Sequence, residues 1–172
     1  MEANLEDAFV RLTEADIDDV MAFAARVYDR LPDKRWYYLS DREEFLDSIR
    51  RGWMIGLRKD GRLIAMADGA TGEARRAAGS HDYATAVGDP VADTFDFLDM
   101  MVDPGCRRMG IHTAVTVLFR RQAEALGCRA MYCTIDPDNV PCRRCMEKAG
   151  YEAVTQQPAY DGRPRVYYRL KL

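Results

Sequence analysis

The spacing of apolar and polar positions predicts helices and strands along most of the chain. Apolar residues recur at three- and four-residue steps in four stretches, which predict four main helices at about 13–28, 40–52, 108–127 and 139–150. Runs of alternating or continuous apolar residues predict seven strands at about 8–12, 53–58, 62–68, 95–102, 130–135, 151–154 and 166–172. This arrangement favours an α/β domain with a mixed, mostly antiparallel sheet.

Local signals place several of the boundaries. Thr13 and Asp16 form an approximate capping box for the first helix, and Ser40 with Glu43 predicts a second one. Asp60-Gly61 predicts a tight hairpin turn between the second and third strands, since both residues tolerate positive φ. The helix and strand boundaries are therefore predicted largely from local chemistry.

Residues 69–93 show little periodicity, and long stretches of this kind in compact domains are functional or disordered. The segment is a candidate lid, dimer contact or mobile loop. Residues 80–87 could form a short helix within it. At 172 residues the chain is long enough for one domain, 1–172, with a proper core.

A strand, a tight turn and a helix follow one another between Phe97 and Phe119. The apolar run FLDMMV ends at Val102, Asp103-Pro104-Gly105 signals a turn, and helical spacing begins at Ile111. The first turn of a helix has unpaired N–H groups and partial positive charge. Gly110 lets an anion approach these amides, so the stretch predicts a phosphate site.

This stretch resembles the acyl-CoA-binding motif of the GCN5-related N-acetyltransferase (GNAT) superfamily. Here the motif reads Val102-x-Pro104 followed by Arg107-x-x-Gly110-x-His112, where His112 replaces the small residue that the family usually has. A second signature resembles the family's Asn-x-x-Ala/Ser-x-x-Leu-Tyr-x-Lys-x-Gly-Phe. It reads Asn139-x-x-Cys142-x-x-Cys145-Met146-Glu147-Lys148-x-Gly150-Tyr151. The resemblance covers most of the chain, roughly residues 9–172.

The resemblance implies a seven-stranded sheet with helices on both faces and with strands four and five splayed apart. The family has a short turn where this chain has residues 69–93, so that segment is interpreted as an insertion. The splayed strands would hold acetyl-CoA or another acyl-CoA. The residues that the resemblance assigns to it are Met100, Met101, Val102, Arg107, Arg108, Met109, Gly110, Ile111, His112, Thr113 and Asn139.

Two catalytic roles differ in how well the sequence supports them. Asp99 lies where many family members carry a strand-four glutamate, and apolar neighbours would raise its pKa toward that of a useful base. A structural aspartate paired with an arginine is the alternative; Asp96, on the opposite face, is the weaker candidate. The general acid is unknown, because Met146 stands at the family's tyrosine position. Other tyrosines that could supply a proton are Tyr132, Tyr151 and Tyr160.

The acceptor site is the least patterned part of the chain. In this family the first two helices and the loop joining them line it. Here that loop carries consecutive aromatic residues, and the C-terminal loop carries one more: Trp36, Tyr37, Tyr38 and Tyr160. Packing over the edge of the core is the alternative role for the first three. The acceptor amine itself, in a small molecule or a peptide, cannot be chosen from these residues.

Charge and hydropathy narrow the class of partner. The net charge of -3 argues against nucleic acid, but residues 104–148 carry eight bases against four acids, a net +4, as suits a polyanionic ligand. No apolar run reaches the roughly 18 residues that a membrane span needs, and the N-terminus has no signal core. We therefore expect a cytoplasmic protein without a membrane partner; a homodimer stays open.

Five cysteines without a signal peptide argue against a disulfide framework. Cys142-x-x-Cys145 lacks the second pair that a zinc site needs, so we expect no metal and place both residues on the inner face of the fourth helix. The sequence thus predicts an N-acetyltransferase acting on a primary amine. A non-catalytic acyl-CoA-binding sensor is the main alternative, and a cysteine-based redox or metal protein is a third.

Overall fold

The computed structural model describes residues 4–159 and 162–172. The first half contains β1 (Phe9–Arg11), α1 (Ile17–Asp29), α2 (Arg42–Arg51), β2 (Ile55–Lys59) and β3 (Arg62–Thr71). Two short helices follow, α3 (Gly72–Ala77) and α4 (Tyr83–Ala86). The remaining elements are β4 (Thr94–Val102), α5 (Ile111–Ala125), β5 (Ala130–Ile135), α6 (Val140–Lys148), β6 (Glu152–Ala159) and β7 (Arg163–Lys171).

The strands form one mixed seven-stranded sheet in the order β1-β2-β3-β4-β5-β7-β6. The pairs β1/β2, β2/β3, β5/β7 and β6/β7 are antiparallel, whereas β4 and β5 are parallel. The predicted mixed, mostly antiparallel sheet of seven strands with four main helices is therefore confirmed. None of the helices in residues 4–159 and 162–172 is both long and apolar enough to cross a membrane.

The chain divides into two compact units. Unit 1 comprises Met1–Gly69 and Asp99–Leu118, and unit 2 comprises Ala70–Leu98 and Phe119–Leu172. In unit 1, α1 and α2 bury one apolar side each against Met54, Leu63 and Met66, and a separate cluster gathers around Leu57, Ala65 and Ile111. In unit 2, Phe95 and Phe97 of β4 pack on Phe119 of α5 at ring-centroid distances of 5.7 and 4.9 Å.

Two predicted helix starts are wrong by a residue or more. The capping box of α2 is formed by Asp41 and Glu44 instead of Ser40 and Glu43; Asp41 accepts from the Glu44 N–H at 2.9 Å, and Glu44 accepts from the Asp41 N–H at 2.8 Å. The capping box of Thr13 and Asp16 is present as predicted. Helix α5 begins at Ile111 instead of Arg108, because Arg108 adopts φ 64 and cannot continue a right-handed helix.

The side chains of β4 do not alternate regularly between the two faces of the sheet along the whole strand. Phe97 packs on Phe119 of α5, whereas Met100 and Val102 pack in the cluster that contains Ile111 of the same helix. In a regular strand, residues three positions apart face opposite sides of the sheet. The strand therefore changes parity between Phe97 and Met100, and Asp99 lies within this irregular part.

Residues 69–93, predicted to have little regular structure, are instead largely folded. Strand β3 continues to Thr71, whose side chain caps α3, and Asp82 caps α4 by accepting from the Thr85 N–H at 2.7 Å. Tyr83 and Ala84 are buried in an aromatic cluster with Tyr132 and Tyr167. Helix α4 lies inside the stretch 80–87 that the sequence predicted to be helical.

Candidate acyl-CoA site

The turn between β4 and α5 is held by Asp103. Its N–H donates to the Ile64 carbonyl at 2.8 Å, and its carboxylate accepts from the Gly105 N–H at 2.9 Å. Arg26 of α1 reaches the same carboxylate at 3.4 Å and also donates to the Leu63 carbonyl at 2.9 Å. The Gly105 N–H, with Arg26 as a second cause, lowers the pKa of Asp103, so the carboxylate stays charged. The sequence indicated a turn here but missed this role of Asp103.

The four residues before α5 form an exposed loop. Arg107, Arg108, Met109 and Gly110 are all exposed, and Gly110 adopts φ 76. Among the described residues, no atom lies within 4 Å of where a Cβ on Gly110 would stand. Helix α5 runs for 15 residues, so its first N–H groups and its dipole face this open loop. The loop therefore leaves space at Gly110 beside the first turn of α5, and the phosphate site itself stays a prediction.

His112 does not obstruct the loop at Gly110. Its imidazole is half-buried, and it lies farther than 4 Å from the position of a Gly110 Cβ. Burial lowers its pKa, so the ring is neutral at pH 7 and adds no positive charge to the first turn of α5. Electrostatic attraction of an anion at this loop would therefore come from the helix dipole and the exposed arginines.

The parallel ladder between β4 and β5 is short. It joins Thr94 with Ala130, Phe95 with Met131, and Asp96 with Tyr132. Beyond that pair β4 continues to Val102 and β5 to Ile135. Among the described residues no further pair joins the two strands, which is the divergence that the sequence predicted for strands four and five. Backbone groups of Met100, Met101 and Val102 would lie along an edge that β5 leaves unpaired.

Asn139 is placed at the start of α6. Its side-chain oxygen caps the helix by accepting from the Cys142 N–H at 3.3 Å, and Pro141 occupies the first turn, where its missing N–H costs nothing. Because the oxygen is used as a cap, the Asn139 amide NH₂ is the part that is left to contact a ligand. The residue is half-buried.

Two carboxyl groups on β4 differ in their surroundings. Asp99 is half-buried, whereas Asp96 is completely buried, with 0% of its surface exposed. Asp96 accepts from Arg75 at 2.9 Å and from the Tyr83 N–H at 3.1 Å, both through Oδ2, and its Oδ1 has no partner. Burial raises the pKa of Asp96 to about 6, although the positive charge of Arg75 acts to lower it. Desolvation of a carboxyl on β4 is thus found at Asp96, whereas the raised pKa of Asp99 stays a prediction.

The tyrosines proposed as general acids are already engaged where the structure describes them. Tyr132 is buried and donates to Asp89 at 2.8 Å, and Tyr151 is buried with its hydroxyl 3.7 Å from the Met131 sulfur. Burial raises the pKa of both phenols, which makes them weaker acids. Tyr160 lies outside the described residues. Met146, at the family's tyrosine position, is buried with 2% of its surface exposed.

Cysteines and aromatic residues are distributed differently from the prediction. Helix α6 buries Met146, whereas Cys142 is partly buried and Cys145 is exposed. The prediction that both cysteines lie on the inner face of this helix is therefore wrong for Cys145. Among the described residues no cysteine forms a disulfide, and no His, Cys, Asp and Glu cluster could hold a metal. Tyr37 packs against the α1/α2 core, which matches the packing alternative, whereas Tyr38 is exposed and donates to Glu44 at 3.3 Å.

The features described above are a mixed seven-stranded sheet, a β4/β5 ladder that ends early and an open glycine loop before α5. The chain also matches the family model described as the acetyltransferase (GNAT) family over residues 17–151. It belongs to that family. No curated protein sequence matches the chain.

Solved structures confirm the fold at low sequence identity. An aminoglycoside acetyltransferase, AAC(6')-Ib in complex with coenzyme A and kanamycin, superposes with a TM-score of 0.72 at 16% identity, covering 95% of this chain and 94% of that one. The ribosomal-protein-S18-alanine N-acetyltransferase of Escherichia coli gives 0.68 at 16% identity, covering 95% and 92%. An IAA acetyltransferase of Bacillus cereus gives 0.64 at 11% identity, covering 95% and 98%.

Proposed function

We propose that this protein transfers an acetyl group from acetyl-CoA to a primary amine of a small molecule or peptide by direct attack. The observation that carries the proposal is the β4/β5 ladder, which ends at Asp96 and Tyr132 while both strands continue. Membership of the GNAT acetyltransferase family supports it. Where two parallel strands stop pairing, their backbone N–H and C=O groups become available to a ligand. Such groups are energetically costly to leave without a hydrogen-bond partner when they are buried.

Acetyl-CoA would supply an acyl group activated as a thioester. The loop of Arg107–Gly110 and the first N–H groups of α5, from Ile111 to Thr113, would bind the diphosphate. The unpaired edge of Met100–Val102 would hold the pantetheine arm, and one of its N–H groups would donate to the developing oxyanion. The Asn139 amide would fix the same arm. Orientation by these backbone groups removes much of the entropic cost of bringing amine and thioester together.

Asp99 is the proposed general base. It is half-buried, and it lies at the β4 position where many members of the family carry a glutamate. Asp96 has a pKa of about 6, but its surface is completely buried and Arg75 donates to one of its oxygens. It could reach a substrate only if the segment that covers it moved.

Neither Tyr132 nor Tyr151 is suited to protonate the leaving thiolate. Tyr132 and Tyr151 are buried, and burial raises the pKa of each, whereas Met146 has no proton to give. We propose that water supplies the proton, because a coenzyme A thiolate is a good leaving group. Tyr160, which lies outside the described residues, stays a sequence-based candidate for this role and for acceptor binding.

The acceptor would be recognised beside the loop that joins α1 and α2. Trp36 is half-buried and its indole nitrogen is buried without a partner, while Tyr38 is exposed. An unpaired buried donor is unfavourable, so a ligand oxygen beside Trp36 would be stabilising. Tyr37 has a packing role as well as its proposed contact.

The proposal is tested by incubating the protein with acetyl-CoA and a panel of amines, and by separating coenzyme A and acetylated products chromatographically. The panel includes an aminoglycoside, a peptide with an N-terminal alanine, and simple alkylamines, since two of the structural neighbours are named for the first two kinds of acceptor. Thiol-reactive dyes are avoided because Cys145 is exposed. We expect the wild type to transfer the acetyl group and the variant Asp99→Asn to lose this activity.

A non-catalytic acyl-CoA sensor is the second candidate, and it is favoured by one observation, the buried Met146 at the position of the usual acid. It predicts saturable binding of acetyl-CoA, measured by calorimetry, with no transfer to any amine in the panel. Absence of both binding and transfer would contradict both candidates.

A further inference from the structure

Residues 72–91 lie over one face of unit 2 and are tied to it by side chains. We call them the cover segment; they contain α3 and α4. Gly72 fits so closely that an added Cβ would stand 2.4 Å from the Thr94 hydroxyl. At the other end of the segment, Ala86 accepts from the Gln157 side chain at 2.7 Å, and Asp89 accepts from Arg169 at 2.8 Å. The contacts are specific enough to define one closed position.

Both side chains of the last β4/β5 pair are held by the cover segment. Asp96 accepts from Arg75 and from the Tyr83 N–H, and its register partner Tyr132 donates to Asp89. Arg75 also stacks on the Tyr83 ring, 4.5 Å from its centroid. The cover segment is therefore anchored at the position where the two strands stop pairing.

One atom in this arrangement is poorly accommodated. The Oδ1 atom of Asp96 is buried without a hydrogen-bond partner, although its other oxygen accepts two hydrogen bonds. A buried carboxylate oxygen that lacks a partner carries an unfavourable desolvation cost. Opening of the cover segment would expose this atom to solvent. Glycines in the left-handed region, Gly79 with φ 75 and Gly88 with φ 81, lie in the turns on either side of α4.

We propose that the cover segment opens when Asp96 is ionised and closes when Asp96 is protonated, so that access to the end of the β4/β5 ladder depends on pH. The ionised carboxylate gains water at Oδ1 on opening, whereas the protonated group loses little by staying buried. This inference concerns a conformational change of unit 2 and goes beyond the proposed acetyl transfer.

The charged surroundings of Asp96 set the direction of the effect. Arg75 on α3 favours the ionised form, whereas Asp82 before α4 disfavours it, and Tyr132 and Cys133 of β5 are neutral at pH 7 since burial raises the pKa of each. Burial outweighs Arg75 and raises the pKa of Asp96 from 3.8 to about 6 in the closed form. The closed form binds the proton more tightly. Raising the pH through 6 therefore favours opening.

Amide hydrogen exchange tests this without any substrate. For peptides within residues 72–91, we expect protection, corrected for intrinsic exchange, to fall about tenfold relative to the rest of unit 2 between pH 5 and pH 7.5. In Asp96→Asn, which cannot ionise, this pH dependence should vanish. In Asp89→Asn the segment should be less protected at both pH values but keep its pH dependence.

Arg75→Met provides a second arm in case Asp96→Asn does not fold. It removes the favourable charge, so the transition should move to higher pH. The proposal is overturned if protection of residues 72–91 is independent of pH in the wild type, if it increases with pH, or if Asp96→Asn retains the wild-type dependence. Because exchange is read without acetyl-CoA, its outcome is separate from success or failure of the transferase assay.

Discussion

The buried carboxyl of Asp96 predicts an unusual pH dependence of stability. Its pKa is raised from 3.8 to about 6, so the folded protein binds a proton more tightly than the unfolded chain does. Stability therefore falls as the pH rises from about 4 to 6, which is the reverse of the usual behaviour of a paired carboxylate. A shift of roughly two units corresponds to about 3 kcal/mol in total.

The assay compares wild type with Asp96→Asn by urea unfolding at several pH values. Asparagine is close in shape to protonated aspartate and does not titrate, and the other ionisable groups largely cancel in the difference. The free energy of unfolding of the wild type, minus that of the variant, should decrease by about 2 kcal/mol between pH 4.5 and pH 7.5.

Asp89→Asn serves as a matched control in the same segment. Hydrogen bonds from Tyr132 and Arg169 lower the pKa of Asp89, so its contribution is present at neutral pH and is lost as the pH falls through its folded value. Its difference curve should therefore slope in the opposite direction. A flat curve for Asp96→Asn, or one that rises with pH, would mean that Arg75 outweighs burial and would refute the reasoning.

Four further predictions concern the candidate site. Gly110→Ala should weaken acetyl-CoA binding about tenfold by calorimetry, whereas Gly127→Ala, with nearly the same positive φ at the other end of α5, should cost similar stability without weakening binding. Asp103→Ala should remove the hydrogen bond that holds the turn before α5, and it should therefore weaken acetyl-CoA binding without changing kcat. Tyr132→Phe should retain kcat, because the Tyr132 hydroxyl donates to Asp89 and is not expected to protonate the thiolate. A large decrease in kcat would instead indicate that Tyr132 is the general acid. Cys145 should be alkylated first among the cysteines, as peptide mapping can show.

Local sequence signals predicted most elements because the contacts that define them are local. The Asp60-Gly61 turn has φ values of 50 and 76, as the dipeptide indicated, and β5 was predicted with its observed bounds. The second capping box was placed one residue early. Ser40-x-x-Glu43 and Asp41-x-x-Glu44 have the same spacing and suitable residue types, so the sequence pattern alone could not separate them.

The cover segment could not be predicted in the same way, because its contacts join residues that are far apart in sequence. Asp89 and Arg169 are 80 positions apart, and Ala86 and Gln157 are 71 positions apart. Nothing in the local pattern of residues 69–93 specifies these partners. The burial of Asp96 depends on the same contacts, so the sequence could not show that this carboxyl is desolvated. Tertiary contacts, which local pattern does not specify, determine its environment.

The proposed cofactor site and the proposed acceptor site depend on different features of the chain. The cofactor end depends on backbone groups: an unpaired strand edge at Met100–Val102, the N–H groups of α5, and a glycine at 110. Such a site would need few particular side chains, and the fold that carries these backbone groups is kept at 16% identity to AAC(6')-Ib, with a TM-score of 0.72. The proposed acceptor site would depend on side chains in loops, such as Trp36 and Tyr38. Substitutions there change specificity without changing the fold, so the cofactor can be inferred from sequence whereas the acceptor must be found by assay.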